Sequence, residues 1–180
     1  RSLRRHGYRT GLIGKSHIQH GPSAAEARPQ ESEPAVGDPY TQGWDTWEHP
    51  ERYERGPVPM PEDFYGFSHV EFSIGHGDMV AGHHLHWALE RGVDLAALRG
   101  DYTTERPARQ RYADWWQVYQ PEVPESLYST TFVTEQSVSW IEEAAAAREP
   151  WFLQCSFPDP HHPFTPPGEW WDAYDLSLIH

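Results

Sequence analysis

Two stretches far apart in this chain share one grammar, and it limits the folds open to it. Residues 2–17 read as a last helical turn (Leu3 to His6), a short strand (Arg9 to Ile13) closed by Gly14, and then Lys15 and His17. Gly7 stands where a left-handed residue ends the helix. Residues 131–162 repeat the order at greater length. A helix runs from about Thr131 to Arg148, Pro150 follows, and the apolar run Trp151 to Cys155 leads to Asp159, His161 and His162. A helix that turns straight into a short apolar strand is the unit of an α/β sheet, whose strands are covered on both faces. Polar residues just past the carboxyl ends of such strands stand where open α/β sheets bind ligands.

The remaining patterns fit around these units. Val133, Ser137, Trp140, Ile141, Ala144 and Ala145 share one face of the predicted helix, with Ser129 or Thr130 as its N-cap. Residues 68–74 alternate so that Val70, Phe72 and Ile74 face one way, as in a strand. A helix is predicted around Met79 to Arg91 with Gly92 as its stop, followed by a second short one. Residues 21–62 are rich in Pro, Glu, Gly and Ser and read as part of a loop-rich excursion over about 21–128, pinned by Trp44, Trp47, Tyr53 and Phe64. Ser156 to Pro167 carries too many prolines for a helix or a central strand.

Composition narrows the function. The 14 basic and 27 acidic residues give a formal charge of −13, which disfavours a phosphate backbone as partner. No run approaches ~18 apolar residues, so no membrane-spanning helix is predicted. Nine Trp, nine Tyr and seven Phe supply large core anchors and argue against a disordered chain. The single cysteine, Cys155, excludes an internal disulfide framework and a multi-cysteine zinc site. It ends an apolar run and reads as a buried core thiol.

The chemistry-bearing candidates are few. Lys15 and His17 stand two residues apart, so an extended loop can point both to one side. A fixed cation beside a titratable base suits sulfate, phosphate or carboxylate, and a surface loop carrying two solvated side chains is the other reading of this short spacing. Asp159-Pro160-His161-His162-Pro163 is stiffened by its prolines, which suits a general acid or an oxyanion ligand. His83, His84 and His86 have no carboxylate or cysteine at close ligand spacing and read as solvated helix side chains.

Taken together, the two units resemble the sulfatases of the alkaline phosphatase superfamily. The run from Leu3 to His17 is similar to the pattern L-x-x-x-G-Y-x-T-x-x-x-G-K-x-H through Leu3, Gly7, Tyr8, Thr10, Gly14, Lys15 and His17. The run from Pro150 to Phe164 resembles the family's second block, P-[FW]-F-L then S-x-P-x-P-H-x-P-F. The segment from Pro124 to Thr131 and the helix after it are similar to the segment that precedes that block.

The resemblance implies a partial doubly wound, alkaline-phosphatase-like sheet with helices on both faces. It implies a sulfuric ester hydrolase that uses a divalent cation, usually Ca²⁺, and a formylglycine made from Cys or Ser. Lys15 matches the lysine on the ester oxyanion, His17 the histidine that assists breakdown of the covalent intermediate, and His161 the histidine on the leaving oxygen. His162 holds the variable position and is a substrate-binding candidate. The implied substrate is a small-molecule or glycan sulfate ester, with neither nucleic acid nor membrane as partner. Phosphonate monoester hydrolases and phosphodiesterases share the fold and the site logic. A noncatalytic, aromatic-rich binding module is the reading from another class.

The family's nucleophile motif, C/S-x-P-S/A-R, and its N-terminal Asp pair are absent from the 180 residues. Cys155-Ser-Phe-Pro158 has its proline one residue late and no arginine after it, so Cys155 is not that nucleophile. Gly75-His76-Gly77-Asp78 mimics the metal motif without its leading carboxylate, and reads as part of the middle excursion. Residues 1–175 are therefore expected to be an internal fragment of one catalytic domain, inactive alone, with nucleophile and metal ligands elsewhere. Residues 176–180 are expected to be a non-native tail.

Overall fold

A computed structural model describes residues 1–19, 45–99 and 117–173. Trp44 and the expected tail at 176–180 lie outside the described residues. In chain order the elements are α1 (Ser2–Arg5), β1 (Arg9–Gly14), β2 (His69–Ile74), β3 (Ala81–Gly82), α2 (His83–Leu89), α3 (Leu95–Leu98), α4 (Ser129–Ala147) and β4 (Trp151–Ser156). Short 3₁₀ turns cover Pro50–Tyr53, Glu125–Leu127 and Gly168–Asp172.

The four strands form one sheet in the order β3-β2-β1-β4. β1 is parallel to β2, with Leu12 opposite Val70, and parallel to β4, with Leu12 opposite Gln154. β3 runs antiparallel to β2, with Ser73 opposite Gly82. The class is mixed α/β. Because β1, β2 and β4 are parallel, their carboxyl ends lie at one rim of the sheet, and this positions the site.

The strand period of two divides the core. Ile13 points to one face, where it packs with Leu85, Trp87, Phe132, Val133 and Trp140 of α2 and α4. Leu12 points to the other, where it joins Val70, Phe72, Tyr53 and Phe64. Gly11 is explained by its neighbour: a Cβ there would sit 2.9 Å from the Trp140 ring and from Leu153. Helices were expected on both faces. Among the described residues α2, α3 and α4 pack on the first face, whereas the second is covered by the segment around Trp47–Phe67, anchored by the fully buried Tyr53. That segment and β2, β3 and α2 all fall inside the stretch expected to be loop-rich.

Helix α4 begins two residues earlier than its periodicity predicts, with Tyr128 at the cap position. Ser129 and Thr130 do not cap it. Their hydroxyls reach Asp159 instead, at 3.4 and 3.3 Å. The helix ends on Arg148 in the left-handed conformation, φ 56°, before Pro150.

Three further expectations need correction. The helix predicted around Met79 to Arg91 spans only His83–Leu89, because Ala81–Gly82 pairs with β2 as β3. Cys155 is exposed, not buried, because β4 forms the sheet edge among the described residues, and Ser137 Oγ donates to its Sγ at 3.2 Å. Trp151 and Phe152 on the same strand are also exposed. The α2 histidines are not solvated. His83 accepts from the Phe72 amide at 2.9 Å, His84 donates from Nε2 to the Leu127 carbonyl at 2.8 Å, and His86 reaches the Tyr53 carbonyl at 2.7 Å. These rings tie α2 to its neighbours where apolar side chains would leave backbone groups unpaired.

His84 gives the first prediction. It is 1% exposed, and burial pushes its pKa from 6.5 down to about 4. Between those values the unfolded chain binds the extra proton and the folded chain does not. Stability is therefore full above pH 6.5 and falls as pH drops toward 4, by up to about 3 kcal/mol. Urea midpoints between pH 7.5 and 4.5 should show this slope, and His84→Gln should make it shallower, with the lowered His76 and His83 still contributing. An unchanged slope in the variant would remove His84 as its source.

Candidate anion-binding site

Three loops leave the rim where the parallel strands end. The first leaves β1. Gly14 turns it at φ +107°, and the Lys15 amide donates to the Ser156 carbonyl of β4 at 2.8 Å, so the two strands are still paired as the chain departs. Glu48 then fixes residues 16–19. Its carboxylate is 7% exposed, and Oε1 accepts from Ser16 Oγ at 2.9 Å, the Ile18 amide at 3.1 Å and the Gln19 amide at 3.0 Å. The loop carrying Lys15 and His17 is wrapped on one buried oxygen. Glu48→Ala should cost about 2–3 kcal/mol, since two backbone amides lose a charged acceptor. Glu48→Gln should cost less, because its amide oxygen still accepts. Denaturant unfolding checks the order, and equal losses for both variants would contradict it.

The second loop leaves β4. Asp159 is held at the N-terminus of α4, where a carboxylate also meets the positive end of the helix. Tyr128 donates to Oδ1 at 3.2 Å and accepts in turn from Thr165 Oγ1 at 3.0 Å. Burial, largest among the causes, pushes the Tyr128 phenol far up, so it stays a protonated donor. The His161 amide closes a turn onto the Pro158 carbonyl at 3.2 Å. His161 Nδ1 donates to the His162 carbonyl at 2.6 Å, which leaves Nε2 as the nitrogen that can meet a ligand oxygen.

The third loop leaves β2 and brings Gly75 to Asp78. His76 Nε2 lies 2.8 Å from Lys15 Nζ. An ammonium has only donors, so the imidazole accepts there and carries its own proton on Nδ1. The His76 ring stacks on His161, centroids 4.0 Å apart and planes 15° apart, and His161 stacks on His162 at 4.3 Å. Lys15 and His161 thus meet on one imidazole. His17 and Lys15 both line a cavity of about 160 Å³ beside it, with Phe72, Ile74 and His76 in its wall.

The electrostatics are those of a basic cluster. Burial is the main cause that lowers the Lys15 ammonium below the ordinary lysine range, and the Asp159 carboxylate opposes it. Burial first, then Lys15, His161, His162 and His17, hold His76 down to about 4. An ammonium with N–H groups to spare and several imidazoles around one cleft can receive a tetrahedral anion. Among the described residues no three His, Cys, Asp or Glu side chains are placed to hold a metal ion. Asp78 is turned away to accept from Tyr119 Oη at 2.6 Å.

His76 and Glu48 are the site residues that sequence reasoning missed. The paired glycines around His76 were the available signal, while Glu48 had none beyond its place in an acidic, loop-rich stretch. No helix of the described residues is long and apolar enough to cross a membrane. No protein-family model matches this chain, and no curated protein matches it.

Proposed function

We propose that this chain supplies the sulfate-ester-binding rim of a sulfuric ester hydrolase of sulfatase type, as part of a longer catalytic domain with an alkaline-phosphatase-like sheet. The observation that carries the reading is the meeting of Lys15 and His161, delivered by separate parallel strands, on the ring of His76. The resemblance assigns those two residues to one ester group from sequence alone.

In this reading the Lys15 N–H groups not given to His76 bind non-bridging oxygens of the ester and offset charge that grows there as the S–O bond breaks. His161, acting as the imidazolium with Nδ1–H held by the His162 carbonyl, passes its Nε2 proton to the departing ester oxygen and is left neutral, and His17 accepts a proton as sulfate is released. His162, stacked behind His161, lies beside the bound ester. A divalent cation, Ca²⁺ by resemblance, and a formylglycine would supply further charge stabilisation and the nucleophile from outside these 180 residues. The described residues offer no ligand set for the cation. The substrate would be a small-molecule or glycan sulfate ester.

Side-by-side turnover of an aryl sulfate and an aryl phosphonate by the longer enzyme tests the assignment. Faster sulfate turnover is expected. Faster phosphonate turnover would place the enzyme with the phosphonate monoester hydrolases and phosphodiesterases. Turnover of neither, with glycan retained by the chain, would make it a binding module. The isolated 180 residues are expected to turn over neither ester.

A further inference from the structure

We infer that His76 is a positioning residue of this site, holding the Lys15 ammonium through Nε2 and the His161 ring through its face, so that both are aimed before the ester arrives. The inference rests on the ester-site reading above. Its own evidence is the loop that delivers the ring. Gly75 has φ +90°, and a Cβ there would lie 2.1 Å from the Met79 carbonyl oxygen. Gly77 has φ +63°, and a Cβ there would lie 2.9 Å from Thr165 Oγ1 and 3.4 Å from Pro163. Both flanking positions exclude other residues, one for its own turn and one for close approach to the loop of His161. Asp78, 4% exposed and bonded to Tyr119, pins the far end. Two glycines and a buried carboxylate therefore set one imidazole between Lys15 and His161.

The groups facing His76 are Lys15 from the β1 loop, His161 and His162 from the β4 loop, and His17 across the cleft, with Asp159 beside Lys15. With His76 neutral and its Nε2 lone pair occupied by Lys15, the ring adds no charge of its own. It takes one ammonium hydrogen and leaves the others directed. Such preorganisation costs no rearrangement during reaction, and misplacement of about 1 Å can lower a rate by about 10²-fold.

Two measurements test this. In the 180-residue chain, ¹⁵N NMR of the imidazoles should find His76 neutral, with its single proton on Nδ1, until pH falls to about 4. A proton on Nε2 would overturn the inference, because Lys15 would then have no acceptor. In the longer enzyme with an aryl sulfate, His76→Phe keeps a ring against His161 but removes the acceptor, and His76→Gln keeps an acceptor and loses the stack. Phe should lower kcat by about 30-fold with little change in KM, and Gln by about 5-fold. Equal activity of Phe variant and parent would also overturn it. Running Lys15→Ala in the same assay separates the two ideas. If Lys15→Ala is impaired and His76→Phe is not, only His76 loses its role. If Lys15→Ala keeps full activity, the ester-site reading fails, and the NMR result still decides whether His76 holds Lys15.

Discussion

If the chain belongs to the longer hydrolase proposed above, Lys15→Ala in that enzyme is expected to lower kcat/KM for an aryl sulfate by about 10³-fold, roughly 4 kcal/mol of transition-state stabilisation. Lys15 Nζ is 2.8 Å from His76, which itself stacks on His161, so the ammonium stands where one oxyanion would meet both Lys15 and His161. Lys15→Met should be nearly as impaired, since it keeps the stem and loses only the charge. Lys15→Arg should rescue little, because the planar fork cannot take the place of a compact ammonium on His76. His161→Ala should cost about 10²-fold, through loss of a proton donor at the leaving oxygen. Stability should move the other way for Lys15. Burial disfavours its charged form, so Lys15→Met should melt no lower than the parent chain. Activity of Lys15→Ala within a factor of two of the parent would end the sulfatase reading.

Gly14→Ala is expected to be the most destabilising single substitution at the rim, by more than about 4 kcal/mol. A Cβ on Gly14 would fall 1.8 Å from the Ser156 carbonyl oxygen and 3.0 Å from Val133 Cγ2, and the residue holds φ +107°. That carbonyl is also the acceptor for the Lys15 amide. The methyl group cannot be accommodated without parting β1 from β4 where both loops leave the sheet. Gly7→Ala is the control. Gly7 also has a positive φ, +79°, but nothing lies within 4 Å of its would-be Cβ, so only backbone strain of about 1–2 kcal/mol is expected. Denaturant unfolding of both variants separates strain from collision. A Gly14→Ala loss no larger than that of Gly7→Ala would show that β4 yields at the rim.

β1, β2, β4 and the long helix were legible because their signals are local, whereas β3 at Ala81–Gly82 lay hidden inside the helix predicted around Met79 to Arg91. The apolar run from Trp151 and the alternation at Val70, Phe72 and Ile74 emerge as β4 and β2, spanning Trp151–Ser156 and His69–Ile74. The face of α4 through Val133, Ser137, Trp140 and Ala144 is buried as its period requires, while Ala145 is exposed at the helix end. Failures came where a local cue had a distant competitor. Ser129 and Thr130 look like helix caps, yet Asp159 takes their hydroxyls. The α2 histidines look solvated, yet carbonyls of Tyr53, Val58 and Leu127 hold them. Cys155 has the sequence of a core thiol and stands at a sheet edge.

By itself the sequence determined that α/β units with short apolar strands would place Lys15, His17, Asp159, His161 and His162 just past strand ends, because hydrophobic period, breakers and prolines act over a few residues. Only the tertiary structure decided that β2 lies beside β1 in parallel and brings His76 between Lys15 and His161, and that Glu48 organises the first loop. Strand order and the meeting of three loops depend on side chains packed across the sheet, and no period along the chain encodes which rim residues become neighbours.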